Sequence, residues 1–218
     1  QWVIDFRNNV VYNWSGAANV CDNPVNLVNN YFRPGPESDL GEKPVAMKAN
    51  LPDVARGHMS GNVFEQMDVF TAANYLAVYF ERWLGPDSGY RYAGTVDDWR
   101  SDTPFDNGTT PATHSATEAY EAVLSRAGAS LMRDVVDLRV VNNVRTRSGK
   151  LINSQQEVGG WPELQSIPPP ADQDRDGMAD EWEIQHGLNP ADPEVRNGDH
   201  NRDGYTHLEE YLNSLCRE

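Results

Sequence analysis

Along the first part of the chain apolar and polar positions alternate, and the apolar ones are β-branched or aromatic. From Trp2 to Trp14 the apolar set includes Val3, Phe6, Val10, Val11 and Tyr12, which predicts a strand, a turn and a second strand. The pattern then repeats. Asn8-Asn9 before Val10-Val11-Tyr12 returns as Asn29-Asn30 before Tyr31-Phe32, 21 residues on, and Gly61-Asn62-Val63-Phe64 is a third echo. Short strands recurring about every two dozen residues with asparagine at the bends predict a mainly β fold, a right-handed parallel β-helix, in which equivalent residues stack rung on rung. Asparagine suits those bends because it tolerates left-handed backbone and its amide can bond to the asparagine one rung away.

Further along the period changes. Residues 46–99 read as the last rungs and their loops, with aromatics at Tyr75, Tyr79, Trp83, Tyr90, Tyr92 and Trp99; packing in core and loops is the favoured reading of these, stacking on sugar rings the other. Ser115-Ala116-Thr117-Glu118 is a capping box, and the helix it opens carries Tyr120, Val123 and Leu124 on one face until Gly128. A second helix is predicted from about Arg133 to Arg145, and the two are expected to cover the open end of the β-helix. Pro168-Pro169-Pro170 is a semi-rigid spacer that divides the chain into 1–167, the last part of the β-helix domain, and 168–218, a small module.

That module carries one liganding pattern twice. D-Q-D-R-D-G-M-A-D-E-W-E begins at Asp172, and D-H-N-R-D-G-Y-T-H-L-E-E begins at Asp199. Each has oxygen donors at positions 1, 3 and 5, glycine at 6 and glutamate at 12, the spacing of an EF-hand calcium loop. A hard cation needs six or more converging oxygens; alternate residues of a tight loop supply three, and the closing glutamate two more. The expected ligands are Asp172, Asp174, Asp176, the Met178 carbonyl, Asp180 and Glu183 for one Ca2+, and Asp199, Asn201, Asp203, the Tyr205 carbonyl and Glu210 for a second. His207, at position 9 of the second loop, is a poor calcium ligand and is expected to leave that corner to solvent. An acidic surface turn is the bland alternative, which the second copy disfavours. Short helices at Glu181–His186 and Leu208–Leu215 follow the loops, and no long helix precedes either, so a sensor-type opening switch is not expected.

Charge sharpens this reading. The net charge is -15, and from Pro168 onward 13 Asp or Glu face 4 Arg. Without metal the module should repel itself, so binding and folding should be coupled. Basic residues are not clustered, which disfavours nucleic acid, and apolar runs are too short to span a membrane. Cys21 and Cys216 either pair and tether the tail, stay as free thiols, or pair with another chain. W-V-I-D-F at the start reads as a strand already in progress, so the chain is expected to be a processed or truncated product whose open β-helix end near Gln1 is covered by a second polypeptide or another copy.

R-N-N-V-V-Y-N-W (Arg7 to Trp14), V-N-L-V-N-N-Y-F-R-P-G-P (Val25 to Pro36), A-G-A-S-L-M-R-D-V-V-D (Ala127 to Asp137) and V-G-G-W-P-E-L (Val158 to Leu164) resemble, in order, the C-terminal half of bacterial pectate lyases of polysaccharide lyase family 1. The calcium module resembles dockerins and thrombospondin type 3-like repeats. The resemblance implies a secreted, extracellular enzyme that cleaves an acidic, pectate-like polysaccharide by calcium-assisted β-elimination, with an arginine as base. The family's acids and arginine element precede the R-N-N strand, so no catalytic residue transfers onto this chain, and the chain alone is expected to be inactive. Arg7 and Arg33 are candidates for contacting a uronate carboxylate, against surface arginines of no role. The chain has Ser15 to Asn23 where the family has a Y-G-G-E-like segment, which bears on substrate choice. The competing reading is a non-catalytic, calcium-stabilised β-helix used for carbohydrate binding or extracellular assembly.

Overall fold

The computed structural model describes residues 2–21, 24–49, 56–83, 86–87, 89–92, 95–109, 111–130, 132–163, 166 and 168–215, of which 18–21, 48–49, 82–83 and 90–92 are described by their backbone course alone. The chain forms two compact units, Gln1–Gly160 and Trp161–Glu218.

In the first unit the strands are β1 (Ile4–Arg7), β2 (Val10–Tyr12), β3 (Ala18–Cys21), β4 (Val25–Val28), β5 (Tyr31–Arg33), β6 (Val45–Ala49), β7 (Gly57–Ser60), β8 (Val63–Phe64), β9 (Val78–Trp83) and β10 (Tyr90–Tyr92). Among the described residues they make three sheets, ordered β1-β4-β7, β2-β5-β8 and β3-β6-β9-β10. Every pairing is parallel except β9 with β10. The chain thus visits the sheets in fixed rotation, so residues one turn apart lie in register: Phe6, Leu27 and Met59 on one face, Val11, Phe32 and Phe64 on the next, Met47 and Phe80 on the third. Phe32 and Phe64 stack at 4.5 Å, and Trp14 meets Phe32 edge-on at 6.2 Å. Burying such rings contributes roughly 2–3 kcal/mol each.

The bends follow the asparagine pattern. Asn8, Asn29 and Gly61 take left-handed backbone at φ 55°, 52° and 65°. The next residue in each turn, Asn9, Asn30 or Asn62, points inward. Asn9 Nδ2 donates to Asn30 Oδ1 (3.1 Å), Asn30 Nδ2 to Asn62 Oδ1 (2.8 Å) and Asn62 Nδ2 to Asn74 Oδ1 (3.0 Å). Each of these acceptor oxygens also takes the backbone N–H of the asparagine below. Gly61 is required by contact as well as by φ: a Cβ there would meet Asn29 Oδ1 at 1.8 Å. Gly61→Ala is expected to cost about 1–3 kcal/mol in a urea unfolding titration.

After β8 come α1 (Asp68–Ala72) and a 3-10 turn, Asn74–Ala77. Phe70 packs edge-on against Phe64 at 6.1 Å, and Asn74 terminates the asparagine ladder, its own amide donating to the Asn62 and Phe70 carbonyls. These residues close the last turn. The short α2 (Val96–Trp99) puts Trp99 into the core against Phe80. The helix opened by the Ser115 capping box is α3 (Ala116–Arg126), with Glu118 N–H on Ser115 Oγ and Ser115 N–H on Glu118. Asp134 caps α4 (Val135–Thr146). The sequence suggested that α3 and α4 cover an open end; they lie instead on the flank of the β2-β5-β8 sheet. Tyr120 packs on Tyr31 at 4.7 Å, and Arg33 donates to the Val144 and Arg145 carbonyls. Arg33 on β5 thus satisfies carbonyls at the C-terminal end of α4 that lack a partner within the helix.

The second unit contains α5 (Asp180–Gln185) and α6 (His207–Ser214). Its core is Met178, Ala179 and Tyr211, with Trp182, Leu188, Val195 and Leu208 packed around them. Among the described residues no helix is long and apolar enough to cross a membrane.

Candidate metal centre

Both loops of the second unit fold on the same backbone frame. Arg175 and Arg202 at position 4 are left-handed (φ 61° and 60°), and Gly177 and Gly204 at position 6 reach φ 98° and 94°, which favours glycine. Gly177 N–H donates to Asp172 (3.2 Å) as Gly204 N–H does to Asp199 (3.1 Å). Met178 N–H donates to Asp176 (2.8 Å) as Tyr205 N–H does to Asp203 (2.9 Å). At position 9, Asp180 N–H bonds the Ala171 carbonyl and His207 N–H the Gly198 carbonyl.

The frame curls Asp172, Asp174 and Asp176 together until their carboxylates lie within 4.8 Å of one another. From α5, Glu183 enters fully buried. Asp174 Oδ2, Asp176 Oδ2 and both Glu183 oxygens are buried with no hydrogen-bond partner. Burial, then the charges of Asp176, Asp174, Asp180 and Asp172, push the Glu183 carboxyl up to about 7. Burial and Asp176 likewise push Asp174 up. Four buried carboxylate oxygens without partners, with Glu183 in the field of the loop's aspartates, are costly unless a cation or protons join them. The donor set, all oxygen and mostly charged, fits a hard divalent ion such as calcium.

The second loop differs inside the same frame. Asn201 turns its NH2 inward, donating to Asp203 (3.2 Å) and Glu210 (2.5 Å), so an amide donor stands where the first loop has bare carboxylates. His207, expected to leave its corner to solvent, is buried at 5% exposure instead. Its Nδ1 lies 2.7 Å from the Val195 carbonyl oxygen and its Nε2 2.9 Å from His200 Nδ1. The calcium-loop frame assigns no role to position 2, so the His200–His207 pair was not foreseen; two histidines seven residues apart were the available signal.

The candidate arginines of the first unit are held internally. Arg7 pairs with Asp5 at 2.6 Å and donates to Thr113. That contact raises the Arg7 pKa and lowers that of Asp5. Arg33 pairs with Glu65 at 2.6 Å, its other donors engage α4, and Arg147 shares Glu65. Of the aromatic set, Trp99 is core, Tyr75 donates to the Gly57 and Ser101 carbonyls, and Tyr79 donates to Glu42. The side chains of Trp83, Tyr90 and Tyr92 and the pairing of Cys21 with Cys216 lie outside the described residues.

No protein-family model matches the chain. It is similar to curated fungal proteins named probable pectate lyase C. It is 29% identical to that of Aspergillus terreus over 222 residues, covering 98% of this chain and 48% of the relative. With that of Emericella nidulans the figures are 29% over 221 residues, 99% and 48%. With that of Aspergillus fumigatus they are 29% over 232 residues, 98% and 48%. The chain therefore spans about half the length of the curated relatives it matches. These relatives are fungal, whereas the motifs suggested bacterial enzymes.

Proposed function

We propose that this chain is part of a secreted, pectate lyase-like protein that acts on acidic polysaccharide, and that its three-sheet winding is a parallel β-helix carrying an EF-hand-like, calcium-binding second unit. Similarity along almost the whole chain to proteins named pectate lyase carries this reading. The strand rotation and the asparagine ladder support the β-helix. The orphaned carboxylates of the first loop support calcium there, held by Asp172, Asp174, Asp176, the Met178 carbonyl, Asp180 and Glu183. In the second loop Asp199, Asn201, Asp203, the Tyr205 carbonyl and Glu210 would serve once the Asn201 amide turns its oxygen inward. Calcium there neutralises the clustered acids and ties each loop to the helix after it.

The chemistry is β-elimination beside a uronate carboxylate. A base removes the C5 proton, the electron pair forms the C4–C5 double bond, and the oxygen at C4 leaves and is protonated. An arginine base must present a neutral guanidine. Arg7 is shifted the opposite way by Asp5 and Arg33 is locked against Glu65 and α4, so neither fits that role. Because the arginine element of the resembled family precedes its R-N-N strand, we propose a base outside this chain. Trp2, just before β1, is 87% exposed and Ile4 39%, and among the described residues β1 pairs only with β4, which suits a further rung from a second polypeptide or another copy. That edge also favours the alternative of an assembly or carbohydrate-binding role.

The test is ultraviolet absorbance of unsaturated product from polygalacturonate. The isolated chain should give none, and a protein joining it to the remainder of its gene product should give a steady increase. Product from the isolated chain would refute the external base, and none from the joined protein would refute the lyase reading.

A further inference from the structure

The two loops share a frame but not a donor set, and the difference lies in which metals each would favour. The interior of the first is carboxylate oxygen. In the second, His200, His207 and Glu210 bring one ligand atom each to within 4.8 Å of one another. His207 is oriented as a metal-binding imidazole is. The Val195 carbonyl oxygen, 2.7 Å from Nδ1, can only accept, so the proton of a neutral ring sits on Nδ1 and the Nε2 lone pair faces His200. A backbone carbonyl fixing the tautomer in this way is the usual outer support of a ligating histidine. Gly198 makes room for the ring: a Cβ there would meet His207 Cε1 at 2.7 Å. His200 is exposed and Glu210 half-buried, and with Trp182, His186 and Asn201 they line an open cleft, which gives an ion a way in.

We propose that the second loop is a site for a borderline-soft divalent cation, zinc above all, bound by His200 Nδ1, His207 Nε2 and the Glu210 carboxylate with a fourth position open to water. Two imidazoles and one carboxylate are a zinc donor set, whereas calcium takes oxygen ligands. Binding replaces the His200–His207 hydrogen bond, so His200 then carries its proton on Nε2. Glu210 is also the closing glutamate of the calcium frame, so the two ions exclude each other at this loop while calcium keeps the first. This rests on the second loop's geometry and is independent of the lyase reading.

The experiment is calorimetric titration of the metal-stripped whole chain with Zn2+ alone, repeated with excess Ca2+, and with Co2+ as a visible-absorption probe of geometry. One Zn2+ per chain is expected, with tetrahedral-type Co2+ absorption. Excess Ca2+ should weaken zinc binding. His200→Ala, at an exposed position, should weaken it by at least ~10-fold while leaving the calcium-induced rise in melting temperature that the first loop supplies. Zinc binding unchanged in His200→Ala, or lost in Asp174→Asn but kept in His200→Ala, would overturn the proposal. So would the absence of any zinc heat.

Discussion

Glu183→Gln should raise the melting temperature of the metal-free second unit at pH 8 and abolish most of its response to calcium. Glu183 is fully buried with both oxygens unpartnered, and it lies in the field of Asp176, Asp174, Asp180 and Asp172. Its carboxyl sits at about 7 against an ordinary 4.5. A carboxyl raised on folding holds its proton more tightly in the native state, so the penalty is absent below about pH 4.5 and complete above about pH 7. At one pH unit per roughly 1.4 kcal/mol, the metal-free unit should lose on the order of 3 kcal/mol across that window. Asp174, shifted the same way, adds to it. Thermal melts in chelator, followed by the fluorescence of Trp182 against Tyr211, should fall from pH 5 to pH 8 in the wild type and flatten in the variant. Calcium should restore the wild type at pH 8. Metal-free stability that rises with pH, or a Gln variant that keeps the full calcium shift, would show that the acids are solvated rather than confined.

In the first unit, Asn62→Ala should be among the most damaging single changes. Its Oδ1 accepts from Asn30 N–H (2.9 Å) and Nδ2 (2.8 Å), and its Nδ2 donates to the Leu27 carbonyl (2.8 Å) and Asn74 (3.0 Å). Asn30 and Asn62 are at most 1% exposed, so truncation strands buried donors and acceptors at about 1–3 kcal/mol each. A total of roughly 3–5 kcal/mol is a large part of the 5–15 kcal/mol typical of a domain. Asn9, half-buried at the free edge, makes the same bond to Asn30, yet Asn9→Ala should cost only about 1 kcal/mol because water replaces its partner. Equal effects at Asn9 and Asn62 in urea titrations would mean the ladder is ornamental.

The parallel winding was legible because each bend repeats a local requirement, a left-handed residue followed by an inward asparagine, and the repeat survives in Asn9, Asn30 and Asn62. Asn74 was not legible as the ladder's end, since it arrives on a 3-10 turn after α1 rather than on a strand. The third sheet left a weaker signal, because its strands, A-N-V-C of β3 and V-A-M-K-A of β6, share no repeated motif. A capping box announced α3, but its docking on the flank depends on Tyr31 and Arg33, far away in sequence. The calcium-type frame was written in the chain twice. What that frame could not convey is that Asn201 would face inward through its NH2, and that His207 would be drawn under the Val195 carbonyl.

The most direct measurement is diffraction from calcium-grown crystals at a wavelength where calcium scatters anomalously. An anomalous peak is predicted inside the first loop, with oxygens of Asp172, Asp174, Asp176 and Glu183 about 2.3–2.6 Å from it. A map with no peak there, and the Glu183 oxygens still without a partner, would contradict the account.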